Sequence, residues 1–179
     1  MTNPDRMVQI AGEMFRVEED GAWIALDLAH ERIHLGHVYT ASVYNASLAN
    51  NGTASLHIVA GTVEPHFTYQ VAAGGNCVLS VYEGGTLAGT AARAAYNRNR
   101  DVATAHKATL VQGGTITGGT ALITAYVPGG SGGTKQGGAS RADNEFVGQA
   151  GQVYSIALVN ISGGAAAVSL GVDFYEVSE

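Results

Sequence analysis

The sequence predicts an all-β fold, a two-sheet antiparallel β-sandwich with jelly-roll topology and long Gly-rich loops. Three observations lead there. Eight Gly-Gly pairs, at 74/75, 84/85, 113/114, 118/119, 129/130, 132/133, 137/138 and 163/164, hold sixteen of the 25 glycines, and most separate short apolar runs. A glycine inside a helix costs about 1 kcal/mol relative to alanine, whereas at a turn it takes up positive φ without steric penalty, so the pairs punctuate strands and oppose long helices. Residues 66–72 put Phe67, Tyr69 and Val71 on one face and His66, Thr68 and Gln70 on the other, the period of a half-buried strand. Val168, Leu170, Val172 and Phe174 alternate in the same way with Ser169, Gly171, Asp173 and Tyr175. About eight to ten such short runs in one chain favour two packed sheets.

In chain order, residues 1–20 read as an N-terminal arm or edge strand containing an apolar run at 8–17, and residues 23–28 form the next run. Residues 38–48 and 54–60 flank Asn50-Asn51-Gly52, and because Asn-Gly suits a type I′ turn the two runs are expected to pair as a hairpin. Strands follow at 66–72 and 77–82. Residues 84–100, rich in Ala, Asn and Arg, are expected to form a long loop with a short helix at 91–96, before strands at 105–110 and 121–127. Residues 129–142 have the composition of a linker. With β runs on both sides and neither half self-sufficient, they read as a loop within one domain spanning 1–179, and long loops in compact domains are often contact surfaces. Strands at 153–160 and 168–175 close the fold.

A chain of 179 residues with 46% hydrophobic content can bury one sizeable core. Only 13% of residues are charged, so Gly, Ala, Ser, Thr and Asn must cover much of the surface, as suits a surface that faces other protein. Nine Lys and Arg against 15 Asp and Glu, a formal charge of -6, oppose nucleic-acid binding through phosphate contacts. Cys77 is alone and can form no internal disulfide, and the start Met1-Thr2-Asn3-Pro4-Asp5-Arg6 lacks the apolar region of a signal peptide, so use without secretion is expected. No run approaches the ~18 apolar residues of a membrane span, so no membrane partner is expected. The sequons at Asn45, Asn51 and Asn160 read as ordinary turn and strand residues.

The sharpest catalytic pattern is His30-Glu31-Arg32-Ile33-His34. On a helix it would set two imidazoles one turn apart for Zn²⁺, with Glu31 as general base on the bound water and His37 as a nearby third nitrogen. Against this, Arg32 puts a charge on a position that is normally uncharged beside the metal, and Gly36 would end the helix directly after His34. In an extended segment His30 and His34 would share a face with Arg32 while Glu31 and His37 point the other way, which is no zinc site. The sequence reading therefore assigns no catalytic residue, no cofactor and no metal, keeps His30, His34 and His37 as the metal candidates, and treats them as hydrogen-bonded residues at an edge or subunit contact.

Arg93, Arg98 and Arg100 form the only basic cluster, beside Tyr96. Guanidinium groups pair with carboxylates and stack on rings, which suits a protein interface; a solvated loop is the plain alternative. Lys135 and Arg141, with Asn144 and Glu145, close the Gly-rich loop and are expected to anchor it to a neighbouring subunit. No Gly-rich turn leads into a Lys-bearing helix, so there is no phosphate cradle.

The blocks Ala29-His30-Glu31-Arg32-Ile33-His34-Leu35-Gly36-His37, Tyr82-Glu83-Gly84, Tyr96-Asn97-Arg98-Asn99-Arg100, Lys135-Gln136-Gly137-Gly138-Ala139-Ser140-Arg141, Asn144-Glu145-Phe146-Val147 and Asp173-Phe174-Tyr175-Glu176 occur in that order over residues 29–176. Together they resemble a family of tailed-bacteriophage virion structural proteins, small, Gly-rich and mostly β. The resemblance implies a particle component, first of all a capsid cement or decoration protein, made in the host cytoplasm and carried on the outer capsid surface of the virion. It implies the major capsid protein as partner, together with further copies of the chain in a homotrimer. Arg93, Arg98, Arg100, Lys135 and Arg141, then the arm Thr2 to Arg6, are the expected contacts. A tail or adsorption-apparatus component that binds a receptor or carbohydrate is the first alternative, and a zinc hydrolase using His30, Glu31 and His34 the second.

Overall fold

The computed structural model describes residues 6–10, 13–17, 23–25, 28–102, 104–130, 136–138 and 145–177. The chain divides into two compact units, residues 1–38 with 97–104 and residues 39–96 with 105–179. In the first, β1 (Arg6–Ile10), β2 (Glu13–Val17) and β3 (Trp23–Ala25) form an antiparallel sheet in that order, with Val8 opposite Phe15 and Phe15 opposite Ala25. The seven-residue helix α1 (Leu28–His34) follows. It stops where the sequence indicates: Gly36 takes φ of +72°, its N–H donates to the Ile33 carbonyl at 3.0 Å, and the His37 N–H donates to the Arg32 carbonyl at 2.9 Å. This pair of bonds is a Schellman C-cap, and an L-residue at Gly36 would carry its Cβ 2.5 Å from Val102 Cγ1.

The second unit is a β-sandwich. After β4 (Val38–Leu48) come β5 (Thr53–Val59), β6 (Glu64–Ala73), β7 (Cys77–Glu83), β8 (Thr86–Ala88), β9 (Ala91–Ala92) and β10 (Tyr96–Asn97), the last at the junction of the two units. The chain continues through β11 (Thr109–Gln112), β12 (Thr115–Thr117), β13 (Thr120–Val127), β14 (Gln136–Gly138), β15 (Phe146–Val147), β16 (Val153–Asn160) and β17 (Ala166–Val177). One sheet runs β4-β17-β6-β14, with β15 also on β6; the other runs β13-β7-β16-β5-β11-β9; β8 and β12 form a small ribbon of their own. The pairing is nested: β4 pairs with β17, β5 with β16, β6 with β14 and β7 with β13.

Period two explains the core. Phe67, Tyr69, Val71 and Ala73 on β6 stand opposite Phe174, Val172, Leu170 and Val168 on β17, and all eight are buried. From the facing sheet, Leu56 and Ile58 pair across to Ile156 and Tyr154, and Ile156 and Leu158 to Val81 and Leu79. These side chains belong to one apolar cluster. Full burial of each large aliphatic or aromatic side chain stabilises by about 1.5–3 kcal/mol relative to exposure. Tyr154 reaches the sandwich end, where its hydroxyl donates to Glu83 Oε1 at 2.7 Å and accepts from the Gln149 N–H at 2.7 Å. Burial, with the Glu83 carboxylate beside it, pushes the phenol up to about 12.

Several expectations are corrected. Residues 38–48 and 54–60 do not pair: β4 and β5 lie in different sheets, so Asn50-Asn51-Gly52 turns the chain from one sheet to the other. The local geometry is still that of a tight turn, with Asn51 at φ of +62° and the Gly52 N–H donating to the Ala49 carbonyl at 2.9 Å. The reversal is pinned to the end of β16, through Asn51 N–H to the Asn160 carbonyl at 2.7 Å and Asn160 N–H to the Gly52 carbonyl at 3.0 Å. The helix expected at 91–96 is absent, because Ala91 and Ala92 pair with Gln112 and Val111 and the Arg93 N–H donates to the Leu110 carbonyl at 2.9 Å. Strand pairing outweighs the helix propensity of alanine there. The run at 8–17 is divided between β1 and β2, and 23–28 between β3 and the start of α1. The strand expected at 105–110 begins only at Thr109, because the Glu176 carboxylate accepts from the Lys107 and Ala108 N–H groups at 2.6 Å each and holds the preceding residues as a loop.

Candidate functional site

The His-rich block is helical, so the extended arrangement does not apply. Positions 30 and 34 are one turn apart, and their rings meet: His34 Nε2 lies 2.9 Å from His30 Nε2, with the ring planes inclined at 72°. Both residues are exposed. The backbone beneath them is held from the 97–104 segment of the same unit, since Asn99 Nδ2 donates to the His34 carbonyl at 2.6 Å and Asn97 Nδ2 to the Gly36 carbonyl at 2.7 Å. Thr104 Oγ1 also donates to the Gly36 carbonyl, at 2.5 Å. His37 stands beyond the C-cap, and among the described residues no three His, Cys, Asp or Glu converge as a metal-holding group. A hydrolytic centre of the zincin type, which takes a third protein ligand, is therefore not assembled among the described residues.

The basic cluster divides between the units. Arg93 belongs to the sandwich and is half-buried, and its Nε is buried with no hydrogen-bond partner among the described residues. Arg98 and Arg100 belong to the smaller unit and are exposed. Lys135 and Arg141, and the arm residues Thr2, Asn3, Pro4 and Asp5, lie outside the described residues.

Three features of the fold are not evident from the sequence. The first is β13, the outermost strand of its sheet among the described residues, whose eight residues Thr-Ala-Leu-Ile-Thr-Ala-Tyr-Val contain no charge and no proline. Leu122 is 39% and Tyr126 60% exposed. Soluble proteins ordinarily shield such an edge with lysine, proline or a bulge; β13 has only a register shift between Ala121 and Ile123. The absence of charge was legible, but the edge position follows from sheet order.

The second is a surface recess on the outer face of β6 and β17, where His66 pairs across to Tyr175 and Thr68 to Asp173. Glu145 Oε1 lies 3.1 Å from His66 Nδ1 and accepts a hydrogen bond from the Tyr175 hydroxyl, and the His66 and Tyr175 rings stack at 4.7 Å. The period-two pattern put these residues outward but could not give the register that joins them. The third is His57, 1% exposed although it faces away from the sandwich core. Its Nδ1 lies 2.7 Å from Ser155 Oγ, and its Nε2 lies 3.0 Å from the Gly113 carbonyl and 3.1 Å from Ser55 Oγ. Because a carbonyl only accepts, Nε2 carries the proton and Nδ1 accepts from Ser155. Burial lowers its pKa below the ordinary histidine value, and the Gly113 bond opposes this in part.

Cys77 is fully buried and burial raises its thiol pKa, which disfavours a reactive thiolate. No protein-family model, curated protein or solved structure matches the chain.

Proposed function

We propose that the chain is a non-enzymatic structural protein of a tailed-phage virion, which binds the assembled capsid shell as a cement or decoration protein, with the major capsid protein and its own copies as partners. The observation that carries this reading is β13, an uncharged strand at a sheet end that exposes Leu122 and Tyr126 on a molecule whose surface is poor in charge. A surface of that kind gains by lying against other protein. The ordered blocks of residues 29–176 supply the virion context. The nested pairing of β4 to β17 supports the reading further: it is the order obtained when one long antiparallel ribbon is wound into two sheets, which we take as a jelly roll with β8 to β12 inserted at the ribbon's tip. Arg93, Arg98 and Arg100, then Lys135 and Arg141, are the proposed contact residues.

A protein that binds the closed shell and not its free subunits stabilises the shell by mass action. Particles lacking the chain should assemble and then rupture at lower temperature than particles carrying it, with purified protein restoring the difference. Equal rupture temperatures would count against the cement role. A tail or adsorption role is the second reading, favoured by the outward-facing polar and aromatic group of His66, Asp173 and Tyr175 on β6 and β17 with Glu145, which presents carboxylates on the surface to a polar ligand. Specific binding on a glycan array would favour it; an empty array would remove it.

A further inference from the structure

We propose that His30 and His34 chelate a divalent transition-metal ion through their Nε2 atoms, with Cu²⁺ and Ni²⁺ preferred over Zn²⁺. Two imidazole nitrogens bound to one ion at about 2.0–2.1 Å stand ~2.9 Å apart at a right angle and ~3.3 Å apart at a tetrahedral one. The observed separation is 2.9 Å, so the pair has the bite of adjacent positions in a square-planar or octahedral shell, the geometry of Cu²⁺ and Ni²⁺. A single proton shared between the rings also fits that distance. However, both residues are exposed, and a hydrogen bond in water contributes little against the rotamer freedom it removes.

The support is built into the backbone. A seven-residue helix is marginal by itself, yet α1 ends in a Schellman cap, the carbonyl of its last residue His34 accepts from Asn99, and the Gly36 carbonyl of the cap accepts from Asn97 and Thr104. That scaffold keeps positions 30 and 34 one turn apart before any ion arrives. The site supplies two protein nitrogens, and water fills the remaining positions. Among the described residues the other soft donors are engaged or enclosed: Cys77 and His57 are buried, His106 Nδ1 lies 2.6 Å from the Ala108 carbonyl, and His66 Nδ1 lies 3.1 Å from Glu145 Oε1 and 3.0 Å from the Tyr175 hydroxyl.

The test is isothermal titration of tag-free full-length protein with Ni²⁺ and, separately, Zn²⁺. One ion per chain is expected, with Ni²⁺ bound more tightly than Zn²⁺. His30→Ala and His34→Ala should each weaken Ni²⁺ binding roughly tenfold or more, because the remaining donor loses its intramolecular partner. His37→Ala should leave it unchanged. An electron paramagnetic resonance spectrum of the Cu²⁺-loaded wild-type chain, showing splitting by two equivalent nitrogens, checks the donor set without any substitution. No heat with millimolar Ni²⁺, or binding that survives His30→Ala and His34→Ala together, would overturn the assignment.

Discussion

His57 is the residue with the clearest physical consequence. It sits on the face of β5 turned away from the core, yet its ring is enclosed and every ring nitrogen has a partner. The unfolded chain protonates this ring near pH 6.5 and the folded chain only at a lower pH, so between those values the unfolded state holds more protons. Its contribution to stability is therefore complete above about pH 6.5 and is lost as pH falls through that range towards the lowered folded value. Urea midpoints measured from pH 7.5 to pH 5 should decline, and His57→Gln should flatten the decline while costing about 1–3 kcal/mol at neutral pH through the stranded Ser155 and Gly113 groups. Asn160 is a second such residue. Fully buried, it donates to the Leu48 and Gly164 carbonyls at 2.8 Å each and accepts from the Ser162 N–H at 3.0 Å. Asn160→Ala should lower stability by about 2–3 kcal/mol in equilibrium denaturation, and a loss below about 0.5 kcal/mol would mean that water replaces the amide.

At the scale of elements, β13 predicts most. Replacing Leu122 and Tyr126 together by lysine adds charge to an exposed edge without removing core contacts, so monomer stability should move by no more than about 0.5 kcal/mol per site. Binding to shells, measured by co-sedimentation, should fall sharply; undiminished binding would take β13 out of the contact surface. The elements also mark what the sequence could convey. Residues 66–72, 77–82, 121–127, 153–160 and 168–175 were legible because burial of one or both faces is written into local apolar spacing. The partners were not. Asn51-Gly52 encodes a sharp reversal, but whether β5 joins β4 or β16 depends on residues about a hundred positions away. The same holds for the candidate sites. The helical spacing of His30 and His34 was visible, whereas the enclosure of His57 depends on Ser155 and Gly113, and the joining of His66 to Tyr175 and Glu145 on the register of β6 with β17. Ala91 to Tyr96 misled for a related reason: alanine favours a helix in isolation, and the β11 segment offers the Ala91, Ala92 and Arg93 backbone a better partner.

At the scale of the whole molecule, the sandwich gathers its large apolar side chains into one core and leaves the uncharged β13 edge, with Leu122 and Tyr126, exposed among the described residues of a chain poor in charge. We propose that such an edge serves assembly on a capsid shell. The most direct test is immunogold electron microscopy of purified particles with an antibody to the chain, counting gold over heads and over tails. Dense label spread across the heads is the predicted result; label confined to the tails, or on no part of the particle, would contradict the claim.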